Sequence, residues 1–159
     1  MGFLRKNVLW VVILLVLSNL MTFIHLDRQA DVLRASVSRE TLLSAVEASD
    51  SALQIYNLLK EQSRAGLVDE KDLLSYSEKV LQIHERLTSL VTDAPASRRT
   101  AEATELALHM FRERERAFSN IRSSQQLSAG NFDEVALKNL ETASRMREEL
   151  MALLSAAGE

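Results

Sequence analysis

Apolar residues recur every three or four positions through most of this chain, which is the spacing of one face of an α-helix. Four segments carry such a pattern, and we predict helices over residues of about 27–65, 70–92, 95–128 and 132–156. The second segment is the most regular, with spacings of 3, 4, 3, 4 and 3 between Leu73, Tyr76, Val80, Ile83, Leu87 and Leu90. These positions predict the buried face of that helix.

The other three segments predict broader apolar faces. The first carries Leu42, Ala45, Ala48, Ala52, Ile55 and Leu59, widened by Val46, Leu53 and Tyr56. The third carries Ala103, Ala107, Met110, Phe111, Ala117, Phe118 and Ile121. The fourth carries Phe132, Val135, Ala136, Leu140, Ala143, Met146, Leu150, Leu153 and Leu154. Ser49 falls inside the first face, which makes that pattern less regular.

Turn residues separate these segments by short distances. Gly66 suits the left-handed position that ends a helix, and Pro95 is tolerated in the first turn of the next one. Short connections favour antiparallel neighbours. The sequence therefore predicts an all-α fold in which an up-down-up-down four-helix bundle forms. A three-helix bundle with a separate stalk would give nearly the same periodicities.

The N-terminal part of the chain has a different pattern. No charged residue occurs from Val8 to Ile24, and a stretch of about 19 residues just crosses a hydrocarbon core of about 30 Å. Arg5 and Lys6 precede the stretch, and Trp10 suits the headgroup layer at that end. We predict a short basic segment at 1–7, a transmembrane helix at 8–26 and a helical bundle at 27–159. The lipid bilayer is then the first expected partner.

A cleaved signal peptide is the alternative for this stretch. No small-x-small triplet closely follows the apolar core, so we favour a retained anchor. A short basic N-terminus followed by a long span usually stays inside. The expected localisation is the plasma or inner membrane, single-pass, with a cytoplasmic N-terminus and an extracytoplasmic bundle.

Polar residues within the predicted span lie on one side of the helix: Ser18, Asn19, Thr22 and His25. An amide that faced lipid would be poorly satisfied, so such residues tend to face another helix. These four positions predict a contact with a membrane protein or with a second copy of this chain. The alternative is that the polar groups bond to the backbone of their own helix.

Composition narrows the possible functions. The chain has 159 residues with 4 Gly, 1 Pro and no Cys, which is typical of long helices and excludes disulfides and cysteine chemistry. The net charge of −3, with acidic and basic residues mixed, lacks the basic face of a nucleic-acid-binding protein. No phosphate loop or nucleophile motif is visible. We expect neither an enzyme nor a bound cofactor.

Arg114 falls in the middle of the apolar face of the third predicted helix, and Arg147 lies near the edge of the fourth. A buried guanidinium must find a carboxylate, an anion or water. The two arginines therefore predict either an anion-binding site inside the bundle or internal salt bridges. His84 borders the second face and is expected to be structural. The face formed by Glu102, Glu105, His109 and Glu113 points away from the core, so we predict a solvated surface there rather than a metal site.

Two functional interpretations follow. The first is a non-catalytic, membrane-anchored bundle that serves as a scaffold or accessory subunit of a membrane complex in the cell envelope. The second is a sensory module, because a membrane helix that continues into an antiparallel four-helix bundle resembles the ectodomains of bacterial chemoreceptors and sensor kinases. In those families the fourth helix enters a second span, so this chain would either be a fragment without that span and its output domain or have to signal through a partner. A secreted bundle after signal cleavage is a third possibility.

Overall fold

The computed structural model describes the backbone of residues 2–95, 97–127 and 131–156, and the side chains of 15, 17–95, 97–126 and 132–156. Four helices follow one another: α1 (Gly2–Arg64), α2 (Glu70–Thr92), α3 (Ala101–Leu127) and α4 (Asn131–Ala156). These described ranges contain no strand. The prediction of an all-α chain with four helices is confirmed.

Contacts along α1 define how α3 runs beside it. The Thr100 hydroxyl, next to the start of α3, donates to the Ser38 hydroxyl at 2.9 Å. Further along both helices, a guanidinium nitrogen of Arg114 lies 2.8 Å from a carboxylate oxygen of Asp50. Both positions advance in the same direction, so α1 and α3 are parallel.

Helix α4 runs in the opposite direction to α1. Arg39 donates from Nε to the carbonyl oxygen of Leu154 at 2.8 Å, and Arg147 donates to Asp50 at 2.6 Å. Helix α2 also runs opposite to α1, because Leu73 near its start clusters with Tyr56 and Val91 near its end clusters with Leu42. The helices therefore alternate in direction along the chain.

Two hydrophobic clusters fill the interior. One contains residues of all four helices: Leu42, Ala45, Val46, Leu87, Val91, Ala103, Ala107, Met110, Phe111, Ala143, Leu150 and Leu154. The other lies nearer the α1–α2 connection: Ala52, Tyr56, Leu73, Val80, Ala117, Phe118, Ile121 and Ala136. All seven predicted core residues of α3 belong to these clusters.

The other helices are rotated slightly from the predicted faces. Ala48 is exposed, and about half of the surface of Ile55, Leu90 and Val135 is accessible, although each was predicted to face the core. Ser49 and His84 occupy interior positions instead and are 0% exposed. The rotation is favourable because the two polar side chains bond to each other, which satisfies groups that would otherwise be unpaired in the core.

The end of α1 has the geometry that its glycine predicts. Gly66 has a φ of +74°, and its N–H donates to the Ser63 carbonyl at 3.0 Å. The N–H of Leu67 donates to the Gln62 carbonyl at 2.9 Å, which completes the paired bonds of a Schellman motif. This turn sends the chain back along α1.

Helix α3 begins later than the sequence predicted. The predicted start was at about residue 95, but the first helical residue is Ala101. The segment before it is held against α1 instead: Ser97 donates to Asp31 at 3.2 Å, and Thr100 is bonded to Ser38. These contacts between distant parts of the chain keep the α2–α3 connection out of the helix.

In the part of the chain that the structure describes, no helix is apolar over a sufficient length to cross a membrane. The structure therefore gives no support to the transmembrane helix predicted at 8–26. The side chains of residues 8–14 and 16 lie outside the described residues.

Candidate functional site

A polar cluster crosses the middle of the bundle and joins α1, α3 and α4. Asp50 of α1 lies between two guanidinium groups, with one carboxylate oxygen 2.8 Å from Arg114 Nη2 and the other 2.6 Å from Arg147 Nε. The side chain of Arg114 is only 3% exposed, whereas that of Arg147 is 40% exposed. One carboxylate thus links a buried charge to a partly solvated one.

The cluster continues into α2 through a directional series of hydrogen bonds. Arg114 donates from Nη1 to the hydroxyl of Ser49. Ser49 Oγ lies 2.7 Å from His84 Nε2, and His84 Nδ1 lies 2.8 Å from the Val80 carbonyl oxygen. Since a carbonyl oxygen only accepts, Nδ1 carries the proton, and Nε2 accepts from the serine. Every group in the series then has a suitable partner when the imidazole is neutral.

The surroundings of His84 favour that neutral form. Burial lowers the pKa of His84 from 6.5 to about 4, and the positive charge of Arg114 acts in the same direction, while the bond to Val80 opposes it. The rings of Phe111 and Phe118 lie 6.2 Å and 6.0 Å from the imidazole, centre to centre. Histidine therefore serves here as an uncharged acceptor enclosed by aromatic side chains.

The hydrogen-bonding capacity of Arg114 is not fully satisfied. Burial lowers its pKa, while the hydrogen bond and charge of Asp50 act against that effect. Its Nε is buried and has no hydrogen-bond partner among the described residues. An unpaired buried donor costs about 1–3 kcal/mol, so the ion pair with Asp50 has to offset that penalty.

The two arginines singled out by the sequence therefore meet at one point. The structure places the carboxylate of Asp50 where the sequence left either an anion or an internal partner open. The ion pairs of Asp50 therefore fix the relative positions of α1, α3 and α4. Whether an external anion also binds there stays a prediction.

Sequence reasoning missed Asp50 as the partner. Asp50 is one residue beyond Ser49, at the edge of the predicted face, and nothing local distinguishes it from the other acidic residues. The available signal was the presence of polar residues within otherwise apolar helix faces. Ser49 and Arg114 were both polar residues within apolar faces, and the structure brings them together.

The polar residues of the predicted span lie on the extension of α1 beyond the bundle and are all exposed: Ser18, Asn19, Thr22 and His25. Thr22 donates from its hydroxyl to the Ser18 carbonyl at 2.9 Å, as the alternative interpretation expected of threonine. His25 Nε2 lies 3.0 Å from Gln29 Nε2. Asn19 makes no side-chain hydrogen bond to the described residues, so its amide is available to a partner.

The acidic face of α3 has the character of a solvated surface. Glu102, Glu105 and His109 are exposed, and Glu113 pairs with Arg116 on the same helix. Over the described ranges, no group of three acidic, histidine or cysteine residues is arranged to hold a metal ion.

Comparison with known proteins gives this chain no relatives from which a function could be carried over. No protein-family model, no curated protein and no solved structure matches it.

Proposed function

We propose that this chain is a single-pass, membrane-anchored, non-catalytic helical bundle that acts as an accessory or scaffold subunit of a membrane complex in the cell envelope. Its N-terminus would be cytoplasmic and its bundle extracytoplasmic. The N-terminal segment of α1 would anchor the protein and present one polar side to a partner. The bundle would hold that helix in a fixed orientation.

The observation that carries this proposal is the surface of α1 outside the bundle. Between residues 15 and 26 the large apolar side chains are 43–73% exposed: Leu15, Leu17, Leu20, Met21, Phe23, Ile24 and Leu26. Exposed apolar patches of this kind mark contacts with membranes or with other proteins. The sequence supports the membrane, because the apolar stretch extends back to Val8 without a charged residue.

Continuity of α1 supports a mechanical link between the segment and the bundle. The helix runs from Gly2 to Arg64 as a single element. Since helical backbone bonds continue throughout, a rotation or tilt of the N-terminal part is transmitted to the part that packs in the bundle. The ion pairs that Asp50 forms with Arg114 and Arg147 then fix α1 against α3 and α4.

Asn19 is the residue through which we propose the partner is recognised. In the hydrocarbon region an amide is best satisfied by a bond to another helix, which contributes on average about 0.6 kcal/mol and up to about 2 kcal/mol. Such a bond can select the partner helix and its register, but its energy is too small to hold the complex together by itself.

Two steps test the proposal. Alkaline carbonate washing of native membranes first separates anchored from peripheral protein, and the full chain is expected to stay with the membrane. Gentle detergent extraction and affinity purification then recover its partner, identified by mass spectrometry. In the Asn19→Leu variant we expect the yield of that membrane partner, or of the dimer, to fall severalfold.

The matched control is Leu20→Ala. At 100° per residue, Leu20 lies opposite the centre of the face formed by Ser18, Asn19, Thr22 and His25, so its truncation should leave the partner yield unchanged. Release of the protein by carbonate would disprove the anchor. Equal recovery of the partner with Asn19→Leu and wild type would remove Asn19 from the contact.

A cleft at the far end of the bundle favours a sensory module as the second candidate. It has a volume of about 560 Å³, and Lys60, Arg64 and Lys71 contribute three positive charges against one carboxylate from Glu70. A small anion would fit this charge balance. We expect inorganic phosphate or a dicarboxylate to raise the Tm of the full chain, and Lys60→Gln with Lys71→Gln to abolish the rise. Equal Tm values with and without these anions would count against a sensor of this kind.

A further inference from the structure

A second cleft, of about 360 Å³, lies between α1 and the α2–α3 connection, close to the end of the apolar segment. Four arginines and two carboxylates contribute to its walls: Arg28, Arg34, Arg98, Arg99, Asp27 and Asp31. The cleft therefore has an excess of two positive charges, which favours an anionic ligand.

Asp31 builds this cleft by holding the connection against α1. Its Oδ1 accepts from the Ser97 hydroxyl at 3.2 Å and from the backbone N–H of Arg98 at 3.4 Å. Its Oδ2 lies 4.0 Å from Nε of Arg99. Ser97 is buried, and the Thr100–Ser38 bond anchors the connection a little further along. Asp31 is thus engaged by the protein itself.

The remaining guanidinium groups are available to a ligand. Arg28, Arg34 and Arg98 are exposed and make no ion pair within the described residues. Guanidinium binds phosphate in a bidentate manner, so several arginines around one cleft suit a phosphate group better than a smaller anion. The single unengaged carboxylate, Asp27, opposes binding.

The distance along α1 indicates where the phosphate would come from. Asp31 is five residues beyond Leu26, which corresponds to about 7.5 Å along the helix. The headgroup layer on each side of the hydrocarbon core is about 5–7.5 Å thick. If α1 leaves the hydrocarbon near Leu26, the cleft faces the phosphate level of the outer leaflet.

We propose that this cleft binds the headgroup phosphate of an anionic phospholipid in the outer leaflet and thereby holds the bundle against the membrane surface. The inference rests on the membrane anchor proposed above and deepens it. Because α1 is continuous through Leu26, lipid bound there would restrict tilting of the helix and the bundle together relative to the bilayer. The contact face in the membrane would then keep one orientation relative to the bilayer.

The test measures lipid binding to the full chain in detergent micelles, by native mass spectrometry and by the shift in Tm. The probes are phosphatidylglycerol, phosphatidylcholine and inorganic phosphate. We expect phosphatidylglycerol to bind more tightly than the other two. Arg34→Gln with Arg98→Gln should weaken its binding by about tenfold, since each cation near an anionic headgroup contributes severalfold.

Three variants make the result specific. Arg112→Gln with Arg145→Gln removes two exposed arginines elsewhere on the bundle and should leave binding unchanged. Arg98→Gln alone retains the Arg99 pair with Asp31 and should give an intermediate loss with an unchanged Tm in the absence of lipid. Asp27→Asn should tighten binding, because it removes the opposing carboxylate.

The following outcomes would overturn the inference. Equal affinity for phosphatidylglycerol and phosphatidylcholine would remove the selection for anionic lipid. Equal or tighter binding of inorganic phosphate would indicate a soluble ligand instead. Unchanged binding after loss of Arg34 and Arg98, or weaker binding with Asp27→Asn, would place the lipid elsewhere. Carbonate extraction reports on the anchor independently, so failure of this inference and failure of the anchor are distinguishable.

Discussion

Arg114 of α3 is almost fully buried, and the carboxylate that pairs with it at 2.8 Å belongs to Asp50 of α1, which is 20% exposed. The same carboxylate also binds Arg147 of α4. Removing one partner of a buried ion pair is far more costly than the pair is stabilising, because the other charge is left without compensation. Asp50 therefore controls how three helices fit together.

Asp50→Asn should destabilise the protein by about 3 kcal/mol, because it leaves the buried Arg114 charge unpaired. Urea unfolding of the full chain in detergent measures this change. Arg147→Gln is the control and should cost about 1 kcal/mol or less, since that guanidinium is partly solvated. Replacing both members of the pair, with Asp50→Leu and Arg114→Met, should recover much of the loss. If the double variant were as unstable as Asp50→Asn, an unpaired charge would not be the cause.

Ser49→Ala should cost about 2 kcal/mol. The hydroxyl of Ser49 accepts from Arg114 and donates to His84, and both groups would lose a partner in the core. Ser51→Ala on the same helix is the matched control. Its hydroxyl is exposed and bonds to the Glu47 carbonyl, so we expect a change of less than about 0.5 kcal/mol. Equal losses of unfolding free energy for the two variants would show that the buried hydrogen bonds of Ser49 to Arg114 and His84 contribute nothing specific.

His84 should make the folded state sensitive to acid. Its pKa is about 4 when folded and 6.5 when unfolded, so the unfolded chain takes up a proton first as the pH falls. The contribution of neutral His84 to the free energy of unfolding is therefore fully present above pH 6.5. It is lost progressively between pH 6.5 and pH 4, and the total loss is about 3 kcal/mol. Protonation would also place a cation beside Arg114 and remove the acceptor for Ser49.

The measurement is the free energy of unfolding at several pH values across that window. His84→Gln cannot titrate and should show a shallower decrease than wild type. His109→Gln removes an exposed histidine of α3 and should retain the wild-type slope. A slope that persists in His84→Gln would assign the acid sensitivity to another group.

Leu87→Asp should unfold the bundle, whereas Leu90→Asp should be tolerated. Leu87 is 8% exposed within the core, and Leu90, one turn further along α2, is 48% exposed. A charge without a partner at the first position costs several kcal/mol, while at the second it reaches water. Circular dichroism during thermal unfolding distinguishes the two variants. Comparable Tm values for both would mean that the rotation of α2 differs from the one described.

Local patterns were sufficient for the helices and for one of the four core faces. In α3 the apolar positions that the spacing selected are buried, because large aromatic and aliphatic residues leave little choice of face. In α1 and α2 the interior includes Ser49 and His84, two polar side chains that hydrophobic spacing alone does not assign to a core. Their burial is favourable only because each is the other's partner, and this relation joins residues 35 positions apart.

The start of α3 is another feature that local sequence patterns could not predict. A proline in a first turn is compatible with a helix from residue 95, and nothing in the local sequence forbids it. Side chains of α1 capture the segment before Ala101 instead, through the bonds of Asp31 and Ser38. Local propensity does not include the energy of such distant contacts.

The sequence by itself determined four helices, the end of α1 at Gly66, and a buried arginine that requires a partner. Each follows from spacing, turn chemistry or desolvation, which act over a few neighbouring residues. Only the tertiary structure decided that Asp50 is that partner, that Ser49 and His84 lie inside, and that arginines from α1 and the α2–α3 connection surround one cleft. Those relations depend on the rotation and direction of whole helices, which the packing of all their side chains sets together.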